Sequence, residues 1–352
     1  MKRTLLFVLA LMASGCADPI PRNLDDFIDR DALFDRDALI EAARAEGKLV
    51  WYTAAPEGLV VKALKAFSEK YPFIDVSEWT RNSAGRLQAQ LESEVAAGIY
   101  RADVFQSGDV GQFLAMNDEK WFAKFHTPEQ DIYSDGLKNP GMWTAWRLTA
   151  LLLGYNPETL SADKAPTSWN ALRDPAFKGK VAFQDGTTGT QHVEWYVLRK
   201  IMGNDFWDDV AKNNPSAYAG PPQTIEAVLR NEMVIAGMAY SYHIASYQVA
   251  QGAPFKGVYP AEGIPIAVQP IAVMRTAPHP NAARLFVDWA LSLEGQKIVV
   301  EGIGDYSGRP DAPTPAGNPP FSEINSIPPD SFRSFVNTKK EFIEAWIKIT
   351  GS

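Results

Sequence analysis

The sequence predicts an α/β protein of two lobes with a cleft between them, each lobe a mixed, mostly parallel sheet flanked by helices. Three observations carry that expectation. Apolar runs of strand length alternate with amphipathic helical segments, the pattern of repeated βα units. The pattern starts afresh after a long extended strand near the middle of the chain. The chain has one cysteine, Cys16, so no internal disulfide, CxxC pair or thiolate zinc cluster can hold it, and the fold rests on its core. With 352 residues, 46% of them hydrophobic, there is enough apolar surface for two domains.

The elements follow in order. Residues 38–46 form a helix with Asp37 as N-cap and Gly47 as its stop. Residues 49–53 read as a buried strand. Leu59, Val60, Ala63, Leu64 and Phe67 then recur at helical spacing as far as Tyr71-Pro72. Residues 75–80 alternate as a strand. Ser83 caps a helix whose Leu87, Leu91 and Val95 share a stripe, ended by Gly98. Residues 102–107 are a third strand and 110–116 a helix.

An apolar strand at 148–155 leads to Asn156-Pro157, where the pattern restarts. Helices are expected near 169–172 and at 191–202, 224–231 and 244–251, with strands at 180–184 and 233–239. Residues 264–274 are long and extended. A regular helix at 281–291, capped by Asn281, follows, then a Pro- and Gly-rich stretch at 303–329 and a last helix at 335–349. Lobe 1 is therefore assigned to 47–147 and 266–309, and lobe 2 to 148–265. Residues 310–352 are a C-terminal segment and helix lying on the lobes. Ligands of open α/β sheets sit beyond the strands' carboxyl ends, and small-molecule sites collect between domains.

The first residues read as an address. Lys2 and Arg3 precede an apolar run at 5–12, too short to span a bilayer, and Ala13-Ser14-Gly15 lead into Cys16. Residues 1–15 are thus expected to be a signal peptide, and 16–46 a tether and short helix. The cysteine after small residues resembles a lipobox, which implies diacylation at Cys16 and anchoring to the membrane. The formal net charge is −8 and falls to about −10 without Lys2 and Arg3. That balance argues against nucleic acid, which demands a basic footprint.

Several segments in order resemble the iron(III)-type family of periplasmic solute-binding proteins. They are GKLVWYTAAPEGLVVKALKAFSEKYPFIDV at 47–76, RNSAGRLQAQLESEVAAGIYRADVFQSGD at 81–109, LLLGYNPETL at 151–160, PTSWNALRDPAFKGKVAFQD at 166–185 and HPNAARLFVDWALSLEGQ at 279–296. The resemblance implies the two-lobed type 2 periplasmic-binding fold. It also implies capture of a solute outside the cytoplasmic membrane and delivery to an ABC permease by a monomeric protein with no cofactor of its own. Members close on the ligand by hinge bending, a population shift driven by contacts made only in the closed form.

Loops that follow strands supply the candidate ligand contacts. Thr53, Ala54 and Ala55 lead into a helix N-terminus, where free N–H groups can bind an anion. Arg81, Asn82 and Ser83 follow the second strand, and Arg81 offers a fork for carboxylate or phosphate. Ser107 ends the third strand; Asp109 reads as a helix cap. Trp146 and Arg147 precede the crossover strand. Thr187, Thr188, Gly189 and Thr190 leave a strand and open a helix, with hydroxyls that can donate to an anion; without a GK[ST] ending they are not a nucleotide loop. Tyr240, Tyr242 and His243 follow a strand of lobe 2. Ferric members of the family place adjacent tyrosines at about this position, but here Ser241 separates them, and the histidine some members carry after the first strand has no counterpart. Two ligands stay open: a small anionic compound such as a phosphonate, sugar phosphate or carboxylate, or ferric iron on Tyr240 and Tyr242 with a synergistic anion. An enzyme is disfavoured by the absence of GxSxG, HExxH and P-loop motifs. A periplasmic sensor input would use the same fold.

Overall fold

The computed structural model describes residues 34–186, 189–328 and 332–351. In chain order the strands are β1 (Trp51–Thr53), β2 (Trp79–Arg81), β3 (Val104–Gln106), β4 (Lys138–Asn139), β5 (Trp143–Tyr155), β6 (Val181–Gln184), β7 (Ser216–Tyr218), β8 (Ile235–Tyr240), β9 (Lys256–Val258), β10 (Ile264–Val273) and β11 (Ser326–Ile327). The helices of lobe 1 and its approach are α1 (Arg36–Glu46), α2 (Glu57–Lys70), α3 (Ala84–Ala96), α4 (Val110–Asp118) and α5 (Pro128–Asp131). Those of lobe 2 are α6 (Gly189–Met202), α7 (Phe206–Ala211), α8 (Pro221–Leu229) and α9 (Ser241–His243), the last running into a π-helix at Ile244–Ala250. The chain then returns to lobe 1 with α10 (Pro280–Leu291) and α11 (Leu293–Ile303), and ends in α12 (Phe332–Asn337) and α13 (Lys339–Thr350).

The main strand order is β2-β1-β3-β10-β5-β8-β6-β7. β1 pairs parallel with β2 and β3, and β6 parallel with β7 and β8, so each lobe has its own parallel half. Two long antiparallel strands, β5 and β10, join them; the first part of β5 pairs with β10 and the rest with β8 and β9. Every residue of β5 and β10 is buried. A strand covered on both faces tends to a continuous apolar run; the expected strand at 148–155 is the more apolar part of β5, which begins earlier, at Trp143.

Lobe 1 closes over an aromatic core. Trp51 meets Phe286 at 5.0 Å and Trp146 edge-on at 5.2 Å, and Phe67 meets Phe286 at 5.0 Å. In lobe 2, Phe183 packs against Trp207 and Trp346, at 5.8 and 5.3 Å. Ring pairs at these separations add about 0.5–1.5 kcal/mol each beyond their buried area.

Several boundaries differ from expectation, each for a local reason. α1 starts two residues early, at Arg36, as Asp35, not Asp37, accepts from the Ala38 N–H. The strand expected at 75–80 is confined to β2, because Asp75 turns back to accept from the Ser77 N–H. Asn281 does not cap α10. The Glu46 carboxylate at the end of α1 accepts from the Asn281 and Ala282 N–H groups at 2.9 and 2.7 Å. The segment near Trp169 is a 3-10 turn, Trp169–Arg173, cut short before Pro175. The last helix breaks into α12 and α13 at Thr338, whose hydroxyl donates to the Phe335 carbonyl.

Candidate ligand cleft

The carboxyl ends of β1, β2 and β3 in lobe 1 and of β6 and β8 in lobe 2 converge on the boundary between the lobes. There Gly189, at the start of α6, comes against lobe 1: a methyl group on it would lie 3.3 Å from the Asp109 Cβ and 3.4 Å from the Gly108 carbonyl. The crossing strands form the floor of this cleft.

On the lobe 1 side most polar groups are already bonded to one another. The Thr53 hydroxyl donates to Gln106 Oε1 at 2.6 Å and accepts from the Ala55 N–H at 3.0 Å. Ser107 Oγ donates to Gln112 Oε1 at 2.6 Å and accepts from the Asp109 N–H at 3.2 Å. The Asp109 carboxylate caps α4, accepting from Gly111 and Gln112. An anionic side chain thus already occupies that helix N-terminus. The neighbouring helices are different: neither Pro56 before α2 nor Ser83 before α3 makes a side-chain cap.

Lobe 2 and the floor contribute a second set. Tyr240 is buried; its hydroxyl donates to Gln184 Oε1 at 2.8 Å and lies 2.5 Å from Thr190 Oγ1. The Tyr240 and Tyr242 rings are 5.1 Å apart. Burial raises both phenols above their usual range. The His243 ring folds back so that Nδ1 accepts from the Tyr240 N–H at 3.1 Å, and burial lowers its pKa to about 3. The lone pair that Nδ1 would offer a metal is committed to the backbone.

Arg147 lies within β5 rather than before it, 4% exposed, and pairs through Nη1 with Asp305. The Asp305 carboxylate, wholly buried, also accepts from Thr149 Oγ1 at 2.8 Å and Ser241 Oγ at 3.2 Å. Gln269 Nε2 donates to Thr149 Oγ1 at 2.8 Å. This network ties both crossing strands to the start of α9. Burial raises the Asp305 pKa, and Arg147 with the two hydroxyls opposes that rise.

Three buried N–H donors in this region have no protein partner: Arg147 Nε, Gln106 Nε2 and Gln184 Nε2. Unmade hydrogen bonds of buried donors each cost about 1–3 kcal/mol, so such groups call for a partner. Gln106 and Gln184 were not among the sequence candidates. A signal for them existed: β3 and β6 both end in Phe-Gln just before a glycine-containing loop, at Phe105-Gln106 and Phe183-Gln184.

The remaining candidates divide by position. Ala54 is partly buried beside β3, its N–H donating to the Gln106 carbonyl. Asn82 is partly buried; Arg81 and Ser83 are exposed. The Arg81 Nε donates to the Ala55 carbonyl at 3.3 Å. Ala55 and Trp146 point into the lobe 1 core, and this corrects their assignment to the cleft: both are buried there, with Trp146 against Trp51. Thr187 and Thr188 lie outside the described residues. Gly189 and Thr190 stand at the first turn of α6.

Residues 52–297 match the family described as bacterial extracellular solute-binding proteins, and the chain belongs to that family. It is 25% identical over 276 residues to an Fe(3+)-binding periplasmic protein of Serratia marcescens, a match covering 74% of this chain and 78% of the relative. It is 26% identical, over the same coverage, to an uncharacterized protein of Haemophilus influenzae. Among solved structures, the periplasmic binding protein AfuA of Actinobacillus pleuropneumoniae, with exogenous fructose-6-phosphate bound, superposes with a TM-score of 0.74 at 23% identity, covering 87% of this chain and 99% of that one. Iron-bound HitA of Pseudomonas aeruginosa gives 0.74 at 22% identity, covering 86% and 99%. The two-lobed periplasmic-binding fold is thereby established. The chain serves outside the cytoplasm as the solute-binding component of an ABC importer, with a small-molecule ligand and the permease as its partners.

Proposed function

We propose that the solute is a small organic anion, a phosphate ester or carboxylate, held where the buried donors of both lobes meet. The observation that carries this reading is the set of unpartnered N–H groups on Gln106, Arg147 and Gln184. A ligand rich in acceptor oxygens satisfies all three at once, and only when the lobes are shut, which couples binding to closure. A charge-assisted bond to Arg147 is stronger than a neutral one and fits an anion better than a neutral sugar. The α6 N-terminus beside Thr190 adds a favourable dipole. The sugar phosphate bound to AfuA supports the same class by likeness of fold. In this reading the protein performs no reaction, carries no resident cofactor, works as a monomer and is tethered through a diacylated Cys16.

A ferric ligand is the second reading, favoured by the 5.1 Å approach of Tyr240 and Tyr242 and by the iron-binding relatives. Against it stand the engagement of the Tyr240 hydroxyl with Gln184 and Thr190 and of His243 Nδ1 with the backbone. Ferric salt added to the purified protein separates the two. The organic-anion reading expects a colourless protein whose melting temperature rises with fructose 6-phosphate or citrate. A tyrosinate-to-iron band in the visible overturns it.

A further inference from the structure

Glu194 lies one turn inside α6, beside the lobe 2 donors, and the ligand set described above makes no use of it. The residue is wholly buried. Its Oε2 accepts from Gln191 Nε2 at 2.6 Å, and its Oε1 is buried with no partner among the described residues. The neighbour that holds it is an amide and not a cation. Burial without a counter-ion raises its pKa well above the carboxylate range and keeps it as the neutral acid.

Helix geometry fixes the direction of this side chain. Thr190 and Glu194 stand one turn apart on the same face of α6, and each Cα–Cβ bond tilts toward the helix N-terminus. Glu194 therefore reaches back toward Thr190, whose hydroxyl oxygen lies 2.5 Å from that of Tyr240. Gln191 steers it the same way: its Oε1 accepts from the Gln184 N–H at 3.3 Å while its Nε2 holds the carboxyl. The Tyr240 phenol feels Glu194 and Arg147 in opposite senses, the first raising its pKa and the second lowering it. The free carboxyl oxygen thus belongs to the same cluster as the free amide of Gln184 and the guanidinium of Arg147.

The chemistry of that oxygen differs from that of its neighbours. Gln106, Arg147 and Gln184 present N–H donors, and the oxygens of an anion, which only accept, satisfy them. A carboxyl oxygen can give a proton or take one, and so can a hydroxyl group. The two satisfy each other whether or not the acid is ionised, whereas an anionic oxygen is repelled by the ionised form. On the organic-anion reading, on which this step rests, we infer that Glu194 is a specificity residue that receives a hydroxyl of the solute. The preferred solute is then a hydroxylated anion, a sugar phosphate or hydroxycarboxylate, over the same anion without the hydroxyl.

Titration calorimetry with two pairs of anions of matched charge tests this. Citrate and tricarballylate differ by a single hydroxyl, and fructose 6-phosphate and hexyl phosphate by all the oxygens of the sugar. The wild-type protein is expected to prefer the hydroxylated member of at least one pair by about tenfold, the cost of leaving a buried polar atom unmatched. Glu194→Leu should bring that ratio close to unity. Glu194→Gln, whose amide also donates and accepts, should keep most of it. Each ratio is taken within one protein, so a general loss of affinity or of folded fraction divides out. A wild-type protein that binds both members of each pair equally overturns the inference, whatever the variants do. A Glu194→Leu protein that keeps the wild-type preference overturns it too and leaves the carboxyl a structural role. In both of these results anions still bind and the organic-anion reading stands; a wild-type protein that binds none of the four overturns that reading and this inference with it.

Discussion

The two sides of the cleft are built to different rules. At the strand ends of lobe 1, Thr53, Ser107 and Asp109 spend their hydrogen bonds on β3 and the first turn of α4, and their chemistry fixes the shape of the wall. At the crossing strands and in lobe 2, Arg147 and Gln184 keep buried donors unspent, and Gln106 at the end of β3 does so in lobe 1. The difference teaches that a polar residue at a strand end is not by itself a ligand contact. What distinguishes the two roles is whether its hydrogen-bonding capacity is already used.

The largest effect expected from breaking this division lies in the floor. Asp305→Ala leaves the Arg147 guanidinium buried without its counter-ion and should cost about 3–5 kcal/mol in urea unfolding. A loss below that of an ordinary surface substitution means that the network does not tie the strands together. Next comes the donor set. Gln184→Leu should weaken binding of an anionic ligand by about 1.5–3 kcal/mol in calorimetric titration, the worth of a hydrogen bond to a charged group. The fold should be retained, since among the described residues the Gln184 side chain bonds only the Tyr240 hydroxyl.

The histidines sharpen the comparison through pH. Burial lowers the pKa values of His192 and His243 from 6.5 to about 3. Their unfolded forms therefore bind protons more readily. The stability they confer is complete above pH 6.5 and is lost as pH falls toward 3. Each should contribute a slope of up to about 1.4 kcal/mol per pH unit in that window. His192→Phe should remove one share of the slope in acid unfolding curves, and an unaltered slope contradicts the burial argument. The smallest effect belongs to lobe 1. Ser107→Ala should cost about 0.5–1.5 kcal/mol of stability with ligand affinity unchanged; an equal loss of affinity would transfer Ser107 to the donor set.

Much of the fold was legible because it is written in local periodicity. Leu59, Val60, Ala63, Leu64 and Phe67 are all buried on one face of α2, as their spacing requires. The crossing strands are mostly apolar, and the polar residues that interrupt them, Thr144, Arg147 and Thr149 in β5 and Gln269 in β10, are buried as well. What stayed hidden is long-range. Glu46 caps a helix that begins 234 residues later, Asp305 meets Arg147 from the far side of the chain, and α12 reaches α4 across the cleft. No local pattern encodes such partners. Trp146 was misplaced for a related reason. It neighbours Arg147 in sequence, but successive strand residues face opposite sides, so one enters the core and the other the floor.

The side-chain amide groups of Gln106 and Gln184 offer the most direct test of the central claim. In protein labelled with nitrogen-15 at glutamine, their NH2 resonances can be followed during titration with fructose 6-phosphate and with citrate. The anion that raises the melting temperature should move both pairs of signals together, with saturation at the same concentration as the thermal shift. If that anion binds and both amide pairs stay where they are, the buried donors do not hold the ligand and the cleft works by other groups.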